Sequence, residues 1–169
     1  METKEVGYAD ANPPYELRPF DMSTYEDEIR QALKADFDSG SLVEAGDAKD
    51  VFRLLATAYP TSGSRIDWAR VPDAVECVDA VGPDRPAQFV EFFAEICDHL
   101  RLSGPVLYVG DNAPDFAIAA SIETMKNVLH VLLEIPQHHF LVGPNGRWCF
   151  CLTMEGDIDF GRSAAPSLS

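Results

Sequence analysis

The stretch from Ser121 to Gly161 constrains the fold most, because it joins the densest apolar segment of the chain to its clearest turn signals. A helix is predicted over 121–134, since Ser121 is a good N-cap and Pro136 forbids continuation. Strands are predicted at 138–142 and 148–154, on either side of a Gly-Pro-Asn-Gly turn. A short third strand is predicted at 157–160.

Pairing across this turn predicts which side chains share a face. If Pro144 and Asn145 centre the turn, the strands are antiparallel and opposite residue numbers sum to 289. One face is then mostly large and apolar, and we expect it to pack on a helix. It carries His139, Leu141, Trp148, Phe150, Leu152 and Met154. The other face carries His138, Phe140, Val142, Arg147, Cys149, Cys151 and Thr153.

Helices are predicted earlier in the chain at 23–35, 47–59 and 86–102, and strands at 106–109 and 116–120. Ser23 and Glu26 have capping-box spacing, and Asp47 is a good N-cap. The predicted class is α+β, with N-terminal helices followed by a small, mainly antiparallel sheet with a helix packed on one face. We expect one domain over 1–169, with 1–20 as an extended arm and 162–169 as a flexible tail.

The charge balance limits the partners that such a chain can take. Twenty-eight acids against 13 bases give a net charge of −15. This field repels nucleic acid and anionic membranes, and it speeds encounter with a basic partner. The N-terminus lacks the basic and apolar regions of a signal peptide, and no apolar run approaches the ~20 residues that cross a bilayer. A cytoplasmic protein with reduced cysteines is therefore expected.

One segment suggests a metal-dependent hydrolase as the alternative function. A strand, Gly-Asp and a second Asp four residues on place Asp111 and Asp115 as in the magnesium-binding segment of haloacid-dehalogenase-type phosphatases, which this stretch resembles. Carboxylates at a strand end hold Mg²⁺ in such sites. The early Asp-x-Asp nucleophile and the alternating strand–helix body are missing, so a strand-end turn explains Asp111 better.

A second alternative is a metal site built from cysteine and histidine. His138, Cys149 and Cys151 fall on one predicted sheet face, with His138 opposite Cys151, and these are zinc-ligand types. The usual Cys-x-x-Cys spacing is absent, which favours half-buried thiols and a hydrogen-bonded histidine. The prediction is therefore no catalytic residue and no cofactor, with these three residues as the metal candidates.

The acidic residues give the preferred hypothesis. Glu155, Asp157 and Asp159 lie on one tight connection, where they form either an acidic edge that meets basic side chains or a solvated hairpin end. The first turn of the first predicted helix adds Glu26, Asp27 and Glu28.

A pattern in the C-terminal third carries a resemblance. Pro-Gln-His-His-Phe at 136–140, Gly-Arg-Trp-Cys at 146–149, Thr-Met-Glu-Gly-Asp at 153–157 and Phe-Gly at 160–161 resemble the endings of small acidic bacterial immunity proteins of polymorphic or contact-dependent toxin systems. The resemblance covers about residues 105–161. It implies an inhibitor that binds a basic toxin through acids, with Glu155, Asp157 and Asp159 as first choice and Glu26, Asp27 and Glu28 as second.

Overall fold

The computed structural model describes residues 22–78 and 84–164 of the chain. The predicted arm at 1–20 lies outside these ranges, as do residues 165–169 of the predicted tail. The helices are α1 (Met22–Ala32), α2 (Lys34–Ser39), α3 (Ala48–Ala58), α4 (Arg85–Leu100) and α5 (Ile122–Leu132). The strands are β1 (Val43–Asp47), β2 (Thr61–Ser62), β3 (Arg65–Ile66), β4 (Val75–Glu76), β5 (Val106–Gly110), β6 (Phe116–Ala120), β7 (His139–Val142), β8 (Trp148–Leu152) and β9 (Ile158–Arg162).

Seven of the strands form one sheet in the order β1-β6-β5-β7-β8-β9-β4, and β2 and β3 form a separate hairpin. Every neighbouring pair in the sheet is antiparallel. The α+β prediction is therefore confirmed. The sheet is larger than predicted because β1 joins one edge and β4 joins the other.

The turn between β7 and β8 is longer than predicted, so the register prediction is wrong. His139 pairs with Leu152, and Phe140 pairs with Cys151, which gives a sum of 291. Five residues, 143–147, form the connection as a 3₁₀ turn, with Asn145 at a left-handed φ of 56°. The shift is two residues, and an even shift leaves the side chains within β7 and β8 on their predicted faces. Met154, predicted on the large apolar face, lies beyond the end of β8 and is 63% exposed. Phe140, rather than His138, therefore lies opposite Cys151.

The predicted helix packed on one face of the sheet is present, and the other face is covered as well. The large apolar face packs on α1, α4 and α5 around Phe150, whose ring centroid lies 5.0 Å from that of Phe93 and 4.5 Å from that of Phe160. The opposite face packs on α3 and on the segment that follows it, through Val51, Leu55 and their neighbours. Each sheet face therefore has its own apolar core.

Helix ends follow the predicted capping at two of three places. Asp47 accepts a hydrogen bond from the amide of Lys49, and Ser121 accepts one from the amide of Thr124. The first helix already begins at Met22, so Ser23 lies inside its first turn and is not the N-cap. The predicted helix 23–35 is also interrupted at Leu33, where α1 gives way to α2.

The antiparallel order gathers several loops at one end of the sheet. Residues 111–115 connect β5 to β6, residues 153–157 connect β8 to β9, and His138 immediately precedes β7. We call this the His138 end. At the other end, Arg162 closes β9 and the amide of Ser163 donates to the carbonyl of Arg147 at 2.9 Å, so residues 162 and 163 of the predicted tail belong to the fold. No helix in the described part of the chain is long and apolar enough to span a bilayer.

Candidate functional site

A buried hydrogen-bond network fixes the loop 111–115 at the His138 end. The Gln137 side-chain oxygen accepts from the amides of Asn112 at 2.9 Å and Ala113 at 2.7 Å. Its nitrogen donates to the Tyr108 hydroxyl at 3.1 Å, and that hydroxyl is hydrogen-bonded to Nδ1 of His139 at 2.8 Å. Burial lowers the pKa of His139 to about 4, so the ring is neutral at pH 7. Gln137 thus supplies the acceptor for two loop amides, one of which belongs to buried Ala113.

His138, the other histidine of the pair, joins three loops at the rim. Its amide donates to Oδ1 of Asp111 at 3.0 Å, and its Nδ1 accepts from the amide of Met154 at 3.0 Å. Arg65, from the β2–β3 hairpin, places Nη2 3.1 Å from Nε2 of His138 and 3.0 Å from Oε1 of Glu155. The ion pair between Arg65 and Glu155 therefore ties the hairpin to the loop 153–157.

An acidic groove opens beside this rim, with a volume of about 350 Å³. Its acids are Glu76, Asp157 and Asp159, and its other walls include Arg65, Trp68, His138 and Cys151. Asp159 lies on β9 between its two pairing partners, Cys151 on β8 and Glu76 on β4. Strand pairing therefore sets the carboxylate of Asp159 at the floor of the groove.

Asp159 is a carboxylate in an unfavourable environment. It is only 9% exposed, and no side chain or amide in the described residues donates a hydrogen bond to its carboxylate. Burial, which is the largest cause, and the negative charges of Glu76 and Asp157 together raise its pKa to about 6. A buried carboxylate beside like charges is costly unless a cation compensates it.

The six acids predicted to contact a partner do not form one exposed edge. Asp157 is exposed. Glu155 is exposed but paired with Arg65, which holds the pKa of Glu155 below its usual value. Asp159 is buried, so its prediction as part of an exposed acidic edge is corrected: the alternation along β9 turns it inward, opposite to Ile158 and Phe160.

The acids of α1 are separated from the groove. Glu26 is half-buried, and its Oε1 accepts from the amide of Asp115 at 3.1 Å, which ties α1 to the loop 111–115. Asp27 and Glu28 are exposed on different sides of α1, the first beside Lys34 and the second beside Glu134. A single contact patch therefore does not include all three.

The groups proposed for metal chemistry come together only in part. Asp111 and His138 meet, but Cys149 lies in the core, where its thiol donates to the carbonyl of Phe150 at 3.5 Å. Burial raises the pKa of the Cys149 and Cys151 thiols, which disfavours the thiolate that a metal needs. Within residues 22–78 and 84–164, no three His, Cys, Asp or Glu side chains are grouped so that they could hold a metal ion.

The phosphatase-like segment has a different surrounding from the one that its resemblance implies. Asp111 ends an antiparallel strand and caps the amide of His138, while Asp115 is exposed at the start of β6. The alternating strand–helix body that would place carboxylates for phosphoryl transfer is not present in the described part of the chain. Asp111 is accounted for as a strand-end residue that positions His138.

The residues that carry the immunity-protein resemblance have structural roles here. Gln137 and His139 belong to the buried network. Trp148 covers Gly143, where an added Cβ would lie 2.2 Å from the indole ring. Gly161 lies under Val71 and Trp68, where an added Cβ would lie 2.8 and 2.9 Å from their side chains. The pattern therefore describes how this end of the chain folds.

Sequence reasoning did not identify two members of the groove, Glu76 and Arg65. Both come from residues 64–84, which show neither helical nor strand periodicity. The β2–β3 hairpin and β4 are only two residues per strand, too short to give a pattern. A scan against protein-family models, a search of curated proteins and a search of solved structures each found no match for this chain.

Proposed function

We propose that this chain is a non-enzymatic protein-binding module of the immunity type, which neutralises a basic bacterial toxin by receiving one of its lysine or arginine side chains in the acidic groove. The resemblance of the C-terminal third suggests the class of protein. The acidic groove supplies a means of binding, since it is negative, concave and large enough for a long basic side chain.

The state of Asp159 is the observation that carries this proposal. An ionised carboxylate with little access to water and no hydrogen-bond donor among the described residues raises the energy of the free protein. A partner cation placed beside it would form a charge-assisted hydrogen bond in a poorly hydrated site, where such bonds are strongest. Binding of the cation would remove the unfavourable energy of the Asp159 carboxylate, and this gain would add to the affinity of the complex.

The net charge of −15 supports the same proposal at longer range. Toxins that act on nucleic acid carry basic surfaces because they bind phosphates, so an acidic inhibitor is steered towards them. Steering acts mainly on the association rate, whereas a buried anchor acts mainly on the dissociation rate. We therefore expect the surface acids to raise the association rate and Asp159 to lower the dissociation rate.

A growth assay tests the proposal. The chain is co-expressed with a basic toxin domain encoded by a neighbouring reading frame, as wild type and as Asp159→Asn, Asp157→Asn and Glu91→Gln. Glu91 is an exposed acid on α4 and serves as the matched loss of one negative charge. We expect wild type and Glu91→Gln to protect the cells, Asp157→Asn to protect less, and Asp159→Asn to fail. Equal protection by all four proteins would reject the acidic groove as the binding site.

A further inference from the structure

A second groove lies between α3 and the β2–β3 hairpin, and it differs in charge from the rest of the molecule. This α3 groove has a volume of about 600 Å³, within the range of small-molecule sites. Its lining includes three basic side chains, Lys49, Arg53 and Arg65, and one acid, Asp111. Arg53 pairs with Asp50 at 2.7 Å and Arg65 pairs with Glu155 at 3.0 Å, so the groove is less acidic than the chain as a whole and Lys49 is its main source of positive charge.

The middle of the α3 groove is lined by apolar side chains from α3, β7 and the β2–β3 hairpin. Phe52 from α3 meets Phe140 from β7 edge to face, with ring centroids 5.5 Å apart. Leu55 lies beside them on α3, and Ile66 closes the side formed by the hairpin. Apolar walls with a few convergent polar groups at one end are typical of sites for small ligands.

The polar end of the groove brings two hydrogen-bond donors together. Nδ1 of His138 accepts from the Met154 amide, so a neutral ring carries its proton on Nε2. That N–H faces Nη2 of Arg65 at 3.1 Å, and a guanidinium has only donors. Nε2 of His138 lies 3.9 Å from Oδ2 of Asp111, which is too long for a hydrogen bond.

An acceptor oxygen at this point would satisfy both donors at once. Oδ1 of Asp111 already accepts from the His138 amide, and Oε1 of Glu155 already accepts from Arg65. Both carboxylates oppose an incoming anion, but Arg65 offsets Glu155, and Lys49 makes no ion pair with a described residue. A planar carboxylate matches the fork of a guanidinium better than a single neutral acceptor does.

From this geometry we propose that the α3 groove binds a small monocarboxylate with an apolar body. The carboxylate accepts from Arg65 Nη2 and His138 Nε2, and the apolar body lies against Phe52, Phe140 and Ile66. The α3 groove adjoins the acidic groove and shares Arg65, Ile66, His138 and Phe140 with it. This inference does not depend on the proposed function.

Two-dimensional amide NMR and calorimetry on the full chain test this site, with 4-phenylbutyrate as the probe. Its uncharged amide, 4-phenylbutyramide, has the same apolar body, and acetate has the same head without the body. We expect saturable binding of the carboxylate, with shifts at His138, Met154 and the hairpin, and at least tenfold weaker binding of the other two compounds. Equal binding of the amide, or no binding of 4-phenylbutyrate up to solubility, would overturn the proposal.

Substitutions in the protein test where the carboxylate of the probe binds. Arg65→Gln and Lys49→Gln change exposed residues of the groove, and we expect about tenfold and a few-fold weaker binding respectively. Arg147→Gln is the matched control, because Arg147 is exposed in a different groove at the opposite end of the sheet. Asp159→Asn should leave binding within twofold. Loss of binding in Arg147→Gln, with retention in Arg65→Gln and Lys49→Gln, would refute the assignment.

Discussion

Replacing Asp159 with asparagine should stabilise the protein at neutral pH, although it changes a buried polar residue. The folded state raises the pKa of this carboxyl from 3.8 to about 6, so ionisation above pH 6 opposes folding. A difference of about 2 pKa values corresponds to a cost of about 3 kcal/mol, which is an upper figure for the gain on neutralisation. We expect Asp159→Asn to raise the free energy of unfolding at pH 7.5 by about 1–3 kcal/mol.

The sign of the pH dependence identifies the cause. Between pH 6 and 4 the folded protein binds a proton at Asp159 that the unfolded chain does not, so this group adds stability as pH falls. Buried His139 acts in the opposite direction: its pKa falls from 6.5 to about 4, so its contribution is lost as pH falls through that range. In the wild type the two contributions oppose each other, and Asp159→Asn should expose the loss due to His139.

Urea unfolding followed by tryptophan fluorescence at pH values from 4 to 8 measures both effects. The stability difference between Asp159→Asn and wild type should be largest at pH 7.5 and should shrink towards pH 4. His139→Gln should be less stable than wild type at neutral pH. This loss of unfolding free energy should shrink or reverse as the pH falls. Glu91→Gln is the control for loss of one exposed charge, and it should change little at any pH. The reasoning would be refuted if Asp159→Asn were less stable than wild type by an amount that does not change with pH.

Three further predictions concern the framework of the site. Gln137→Ala leaves two loop amides without their acceptor, so chemical denaturation should show a loss of about 2–4 kcal/mol; a loss below 0.5 kcal/mol would contradict the network. Gly161→Ala places a Cβ within 3 Å of two packed side chains, so calorimetry should show a loss of about 1–3 kcal/mol, and an unchanged melting temperature would argue against that packing. Native protein should be alkylated at half-buried Cys77 well before buried Cys149 or Cys151, and fast labelling of Cys149 would contradict its burial. Addition of Zn²⁺ should not raise the melting temperature.

Local signals in the sequence were sufficient for the elements around α5, β7, β8 and β9. Ser121 caps α5, which ends at Leu132 rather than at the predicted 134. Alternation separates the two sheet faces correctly within β7 and β8, although the strand predicted at 148–154 ends at Leu152. The turn at Asn145 could not be placed to the residue, because a left-handed residue inside a five-residue connection depends on packing as well as on turn composition. The faces were nevertheless right, since the error in register was an even number of residues.

The site could not be predicted to the same extent, because its walls come from segments without periodicity. β1 and β4 are edge strands held by pairing to β6 and β9, and their own residues are mostly exposed. The inward turn of Asp159 follows from alternation with Ile158 and Phe160, but its burial also requires the cover that Trp68 and Glu76 provide. Spacing along the chain contains no signal for that cover.

The account depends on one claim, that the carboxylate of Asp159 costs stability in the free protein and gains it back by pairing with a partner cation. The most direct measurement is the affinity and association rate of the purified toxin domain for wild type and Asp159→Asn over a range of salt concentrations. The account predicts that Asp159→Asn melts at a higher temperature, yet dissociates from the toxin at least tenfold faster, with a nearly unchanged salt dependence of association. An Asp159→Asn protein that binds the toxin as tightly as wild type would contradict it.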